Sequence, residues 1–386
     1  MSGRLTAFRG ARLFDGAELH EDRALLVRDG AIEGLLPPQD LPAEAEVVTL
    51  DGGVLAPGYL DLQVNGGGGV MLNDAPSVAT LTTIARAHAG LGATAILPTL
   101  ITDTAATTRA TVDAVERAIA EGVPGIVGLH LEGPHLSLAR KGAHDPTLIR
   151  PMAVEDLAFL VEAAGRLPVL MVTLAPESAS PAQLRALTAA GAIVSLGHSD
   201  AAFADCRAAA ESGARCVTHL FNAMSQLGNR EPGLVGAALG LGALSAGLIA
   251  DLIHVHPATI AAALAAKRGP GRIFLVSDSM AGAGSDLDHF VLNGRRIERR
   301  EGRLTLEDGT LAGADLDLTT AVRNLVRDVG LPLAEALAMA TSVPARVIGR
   351  EDRLGRIAPG LPADFLWLDE GCALGAVWQA GVRLES

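Results

Sequence analysis

LDLQVNGGGGVMLNDAPSVATLTTIARAHAGLGATAILPT, residues 60–99, holds one complete period of the pattern that runs through this chain. A short apolar run, LDLQV (60–64), ends in polar residues and four glycines. An Ala-rich stretch with helical spacing follows, VATLTTIARAHAGLG (78–92), and then a second apolar run, TAILPT (94–99). Runs too short for helices, alternating with amphipathic stretches of helical length, predict strand–helix–strand units with parallel strands. The same alternation continues through IVGLHLE (126–132), VLMVTLAPE (169–177), AIVSLGH (192–198), CVTHLFN (216–222), LSAGLIAD (244–251) and IFLVSD (273–278). Eight such strands with helical crossovers predict a closed (β/α)8 barrel of the TIM type. A doubly wound open sheet is the alternative that the pattern alone leaves open.

Both ends of the chain read differently. ARLFDG (11–16), ALLVRDGAIEGL (24–35) and AEVVTLDGG (45–53) are strand-like runs broken by DG and GG turns, and ADFLWLDE (363–370) and GAVWQAGVRLES (375–386) share that character. The expectation is a small β-sandwich domain built from both termini, residues 1–55 and 359–386, around a catalytic barrel at 56–358. Within the barrel, FVLNGRRIERREGRLTLEDGT (290–310) has an NG turn between alternating runs, and predicts a β-hairpin insertion.

Composition narrows the function. The net charge of −13 argues against a nucleic-acid or acidic-membrane binder, which needs a broad basic surface. It leaves room for a small anionic substrate held by a few local cations. Three cysteines, Cys206, Cys216 and Cys372, form no CxxC and no disulfide framework, which suits a reducing cytoplasm. The N-terminal MSGRLTAFRGARLF lacks an apolar core of the signal-peptide kind. The uncharged stretch from Gly233 to Ala250 is rich in Gly and Ala, and reads as a buried helix followed by a barrel strand rather than a membrane span.

In such a barrel the chemistry sits at the C-terminal ends of the strands. There the sequence places Glu132 on strand three, His198 on strand five, His219 on strand six and Asp278 on strand eight. A carboxylate and two imidazoles suit a catalytic zinc with an open position for water, and Asp278 would serve as general base and acid. Taken singly, each has a plain alternative: a hydrogen-bonded core histidine, a salt-bridged glutamate, an aspartate capping a helix. Gln63 and Asn65 stand where related barrels carry His-x-His, and neutral amides there are expected to orient water or pack around the site. Gly66 to Gly69 is either an anion-holding loop or a tight turn.

The motifs HLEGPHLSLARKGAH (130–144), SLGHSDA (195–201), THLFNAMSQLGNREPGLVG (218–236), LIADLIHV (248–255), LVSDSMAGAG (275–284) and DGTLAGADLDLTTAVRNLV (308–326) resemble those of the N-acetylglucosamine-6-phosphate deacetylases, within the amidohydrolase superfamily. The resemblance runs in order from about Ala56 to Gly360. It implies that Glu132, His198 and His219 are metal ligands, that Asp278 activates the water and that His144 polarises the acetyl carbonyl. It further implies that Arg230 and His254 hold the phosphate, partly across a homodimer interface, while Asn222, Ala223, Ala143, Leu311, Ala312 and Gly313 contact the substrate. Members with Gln-x-Asn on strand one use a single metal, so one divalent ion per chain is implied, zinc ahead of iron, cobalt or manganese. The activity implied is metal-dependent deacetylation of N-acetyl-D-glucosamine 6-phosphate to D-glucosamine 6-phosphate and acetate; the alternatives are the same chemistry on the galacto epimer and, behind it, a non-catalytic sugar-phosphate sensor. His135 and the 279–285 loop carry no assigned role, and His256 reads as structural.

Overall fold

The computed structural model describes residues 4–385. Eight strands form one parallel sheet in strict sequence order: β1 (Tyr59–Val64), β2 (Ala93–Ile101), β3 (Leu129–Glu132), β4 (Leu170–Leu174), β5 (Ile193–Leu196), β6 (Cys216–Val217), β7 (Ser245–Leu248) and β8 (Ile273–Leu275). The crossovers are α1 (Val78–Gly90), α2 (Ala105–Ala120), α3 (Val154–Arg166), α4 (Pro181–Ala189), α5 (Phe203–Glu211), α6 (Gly233–Gly240) and α7 (Pro257–Ala266). Local chemistry starts several of these helices. Ser77, Thr104 and Ser180 each accept a backbone N–H from the first turn of α1, α2 and α4. The uncharged Gly233–Ala250 stretch divides into α6 and β7 as expected, and no helix among the described residues is long and apolar enough to cross a membrane.

A row of equal parallel strands leaves a first and a last edge that must meet. Here the Asp278 N–H donates to the Gln63 carbonyl at 3.1 Å, and the Asn65 N–H to the Ser279 carbonyl at 2.9 Å. Below that pair, Asp61 is fully buried and its carboxylate accepts the Ser277 N–H at 3.2 Å and the Gln63 N–H at 3.1 Å. Burial pushes the Asp61 carboxyl up to about 7. One side chain therefore ties the start of the barrel to its end, just beneath two candidate site residues.

The barrel interior below the mouth holds a paired polar network. The His130 ring donates from Nδ1 to the Leu62 carbonyl at 3.1 Å, which makes Nε2 the acceptor for Thr173 at 2.7 Å. Thr173, Thr218 and Ser195 continue the chain at 2.6 Å each. Such a network is tolerable in a core because each member has a partner.

The termini form two further sheets. One pairs strands 5–9, 24–28, 31–36 and 46–49; the other interleaves strands 12–14, 19–20 and 54–57 with 365–368, 374–379 and 382–383. Phe8 from the first sheet packs against Phe365 and Trp378 of the second, with ring centroids 4.9 and 5.2 Å apart.

The insertion is larger than the hairpin expected at 290–310. It has four antiparallel strands, β9 (His289–Leu292), β10 (Arg295–Arg300), β11 (Arg303–Thr305) and β12 (Leu311–Ala314). The Gly-containing LAGA looks like loop in sequence, yet it pairs with β11 and bridges to Ser279. The apolar face, Phe290, Leu292, Ile297, Leu304 and Ala312, packs on Met71, Ile101, Met280 and Ala281 at the barrel mouth. The glycine run takes the tight-turn form: the Gly68 and Gly69 N–H groups are spent on the Ala283 and Ala281 carbonyls at 2.7 and 3.0 Å, so they do not hold an anion.

The seam yields a stability prediction. Asp61→Ala leaves two buried N–H groups unmatched, each at about 1–3 kcal/mol. Urea unfolding should show a loss of about 2–4 kcal/mol, and Asp61→Asn a smaller one because its amide oxygen still accepts. Wild-type stability in Asp61→Ala would mean the backbone alone closes the barrel.

Candidate active site and metal centre

Four strand ends deliver the central groups. Glu132 Oε1, His198 Nε2 and His219 Nε2 form a triangle with every side 3.1 Å, and all three residues are buried. His198 Nδ1 lies 2.8 Å from the Arg140 carbonyl, which can only accept, so Nδ1 carries a proton and Nε2 is the nitrogen turned toward Glu132 and His219. Two imidazole nitrogens and a carboxylate oxygen converging this way fit a single divalent cation, because ligand atoms about 2.0–2.1 Å from zinc stand about 3.3 Å apart in a tetrahedron. The group is therefore able to hold a metal ion.

Asp278 completes the mouth from β8. Gln63 Nε2 donates to both Glu132 oxygens, at 3.3 and 3.2 Å, and to Asp278 Oδ1 at 3.1 Å. Asn65 Nδ2 donates to the same Asp278 oxygen at 2.8 Å. Of the two roles expected for these amides, the structure displays the packing one: their N–H groups grip the carboxylates of the site. Asn65 Oδ1 is buried with no partner among the described residues. The clamp leaves Asp278 Oδ2 open.

The backbone at these positions is unusual. His198, His219 and Asp278 have φ of +47°, +26° and +50°, which side chains rarely adopt. The chain leaves each strand by a sharp turn just past its last ladder bond, which is why β5, β6 and β8 are shorter than their apolar runs. Strain of this sort persists only where the surroundings over-determine it.

Burial alone would push the Glu132 carboxyl up, but hydrogen bonds and charge from His198 and His219 override it and hold it well below the usual range. Asp278 has less help. Burial and the neighbouring Glu132 charge push it up to about 6. His144 is driven well below the ordinary imidazole value by burial and then by His198, so it is neutral. The Thr102 N–H, which can only donate, approaches His144 Nδ1 at 3.3 Å, and the Thr102 hydroxyl lies 2.8 Å from the same atom. Nδ1 is thus an acceptor, and the ring proton sits on Nε2.

A cavity of about 380 Å³ opens over these groups. Asn65, Glu132, Ala143, His144, His198, His219, Asn222, Ala223, His254, Asp278, Leu311 and Gly313 all line it. His254 is oriented by Asp251, which takes its Nδ1–H at 2.6 Å and its backbone N–H at 2.8 Å. Two expected contacts fall outside. Ala312 is fully buried in the apolar layer of the inserted sheet, because its neighbours on β12 take the outward positions. Arg230 is exposed on the 225–232 loop, away from the cavity wall. Its neighbour Glu231 accepts the Phe203 and Gly233 N–H groups instead of pairing with it. His135 lines a different cleft and bonds the Arg150 carbonyl at 3.2 Å, and His256 caps α7. Sequence reasoning did not single out Thr102, Arg140 or Asp251. Arg140 lines the cavity while its side chain is paired with Asp200 at 2.8 Å.

A model of the amidohydrolase family matches residues 54–380. The chain belongs to the amidohydrolase family. This amidohydrolase is 43% identical over 377 residues to an N-acetylgalactosamine-6-phosphate deacetylase of Shewanella sp. (strain ANA-3), covering 97% of this chain and 95% of that one. It is 36% identical to an N-acetylglucosamine-6-phosphate deacetylase of Haemophilus influenzae, over 89% of this chain and 90% of the other. The crystal structure of N-acetylglucosamine-6-phosphate deacetylase from Pasteurella multocida superposes with a TM-score of 0.94 at 33% identity, covering 99% of this chain and all of that one.

The triangle predicts how the amidohydrolase handles metal. Glu132→Gln should purify with little metal by elemental analysis under conditions where the wild type carries about one ion per chain. Full loading of the variant would place the ion elsewhere.

Proposed function

We propose that this amidohydrolase removes acetate from N-acetyl-D-glucosamine 6-phosphate, releasing D-glucosamine 6-phosphate. The observation that carries the reading is the Glu132–His198–His219 triangle sharing one cavity with Asp278 and His144. Glu132, His198 and His219 would hold one divalent ion, zinc ahead of iron, cobalt or manganese. When bound, such an ion supplies a Lewis acid that polarises the acyl oxygen and lowers the pKa of water.

The chain's own groups do the rest. Asp278 takes the proton of the attacking water on Oδ2, since Oδ1 is held by Gln63 and Asn65. It then returns that proton to the departing amine. His144, neutral with its proton on Nε2, donates to the acyl oxygen as negative charge develops there. His254, held by Asp251, meets the phosphate from this chain, while Arg230, outside its own cavity, serves the site of a second copy in a homodimer. Asn222, Ala223, Ala143, Leu311 and Gly313 surround the sugar. The cysteines are free and buried, with Cys206 and Cys216 pushed up to about 12, which suits a cytoplasmic enzyme.

The 43% identity to a protein acting on the galacto epimer favours a second reading, the same chemistry on N-acetylgalactosamine 6-phosphate. Acetate release from both epimers, before and after chelation, decides between them. Loss of activity on chelation and recovery with added metal is expected for the preferred epimer, and no release from either would sink the substrate assignment.

Two further outcomes follow from Asp278. Asp278→Asn should keep its metal and lose about 10²–10⁴-fold in turnover. A base works ionised; burial and Glu132 put the Asp278 carboxyl at about 6 in the metal-free chain, and a bound cation lowers it, so the wild-type kcat/KM should fall as pH drops below about 6. A profile with no acid limb down to about pH 4, with the metal still bound, would take Asp278 out of this role.

A further inference from the structure

We propose that Arg295, on the inserted sheet, is a positioning residue for His144 and acts through the backbone of the loop that carries it. The proposal rests on the deacetylase reading only in giving His144 a catalytic part.

The strand β10 reads RRIERR, six residues of which five are charged. Alternation along a strand sends every second side chain to the same face. Ile297 is fully buried against the barrel mouth, so Arg295 and Arg299 share its face, while Arg296, Glu298 and Arg300 belong to the other. A basic pair turned toward an apolar layer needs a reason, because a guanidinium loses hydration there unless acceptors replace the water. Both arginines find carbonyls, and both sets belong to loops of the catalytic mouth. Arg299 donates to the Gly282 and Ser285 carbonyls at 3.0 and 2.7 Å and pairs with Asp315 at 2.9 Å. Those carbonyls lie on the loop that follows Asp278. Arg295 donates to the Ala143 carbonyl, on the residue immediately before His144.

The loop from Lys141 to His144 is neither helix nor strand. It includes Gly142 at φ +54°. Its ring end is held by Thr102 at His144 Nδ1. Its start is held by the Arg140 carbonyl at His198. Arg295 supplies the tie between them, and the Ala143 side chain packs on the apolar layer of the inserted sheet. One strand of the insertion thus touches the loop of His144 with one arginine and the loop after Asp278 with the next on that face. The separation of the two catalytic groups is gauged against a common element that is not part of the barrel.

The test is a double-mutant cycle in the metal-loaded full-length enzyme, with N-acetylglucosamine 6-phosphate and its galacto epimer as the substrates. Arg295→Ala should lower kcat about tenfold with KM changed less than about twofold, as expected when a reacting group is misplaced while substrate binding stays intact. Arg295→Lys should recover part of that loss, because an ammonium also donates to a carbonyl, and Arg300→Ala on the opposite face should match the wild type. In a His144→Asn background Arg295→Ala should cost nothing further, since the group it positions is gone. A kcat within about twofold of wild type for Arg295→Ala, or the same loss in both backgrounds, overturns the proposal. Wild-type turnover in His144→Asn overturns it as well, by removing the group to be positioned. If the wild type hydrolyses neither epimer, the deacetylase reading fails, and a crystal structure of Arg295→Ala decides this point alone: a displaced Ala143–His144 backbone supports it and an unmoved one ends it.

Discussion

Two carboxylates are buried side by side at the mouth of this barrel, and one amide nitrogen is shared between them. Gln63 Nε2 donates to Glu132 and to Asp278 at once. Burying two like charges is costly unless each is compensated. Glu132 is compensated by two imidazoles. For Asp278 the nearby imidazoles and the amide donors of Gln63 and Asn65 do not outweigh burial and the Glu132 charge, and it is the one whose carboxyl rises toward neutrality. The same site thus contains a carboxylate held firmly ionised, suited to holding a cation, and another poised to exchange a proton. Their different environments divide the labour. The first strand supplies the hydrogen bonds that let the two acids stand close together.

Much of this is legible in the sequence, for a physical reason. A buried parallel strand reads as an apolar run, and a polar residue at its end is conspicuous, so Glu132, His198, His219 and Asp278 stand out as a set, and the structure brings them together. The order of eight runs leads to the barrel in the same way. What cannot be read is whatever depends on a partner distant in sequence. Thr102 contributes a backbone N–H and a hydroxyl, which no residue pattern marks out. The partners of Gln63 and Asn65 are carboxylates on strands three and eight, so in sequence the amides look free to hold water. Arg230 sits on a loop whose direction relative to its own mouth is a matter of three-dimensional path. LAGA at 311–314 hides its strand character behind small residues, and the insertion reads in sequence as half its true width.

The non-barrel elements have separate tasks. The terminal sheets bury their own aromatic cluster around Phe8, Phe365 and Trp378 and lie apart from the cavity. The inserted sheet packs directly on Met71, Ile101 and Met280 at the mouth. Variation in the first is a question of stability, and variation in the second reaches the walls that surround a substrate. Asp61 belongs to neither group: it is beneath the site and closes the barrel, so the position of Gln63 and the position of Ser277 are fixed by one carboxylate.

The left-handed backbone at His198, His219 and Asp278 governs how these positions can be altered at all. Asparagine and aspartate enter that region at small cost, whereas β-branched side chains do not. Replacing any of the three by Val or Thr would twist the loop as well as remove the functional group, and the two losses would be inseparable. Asparagine in the same place changes the chemistry and spares the path of the chain. Drift and design at this mouth are therefore channelled: the backbone admits a short list of residues before function has any say in the matter.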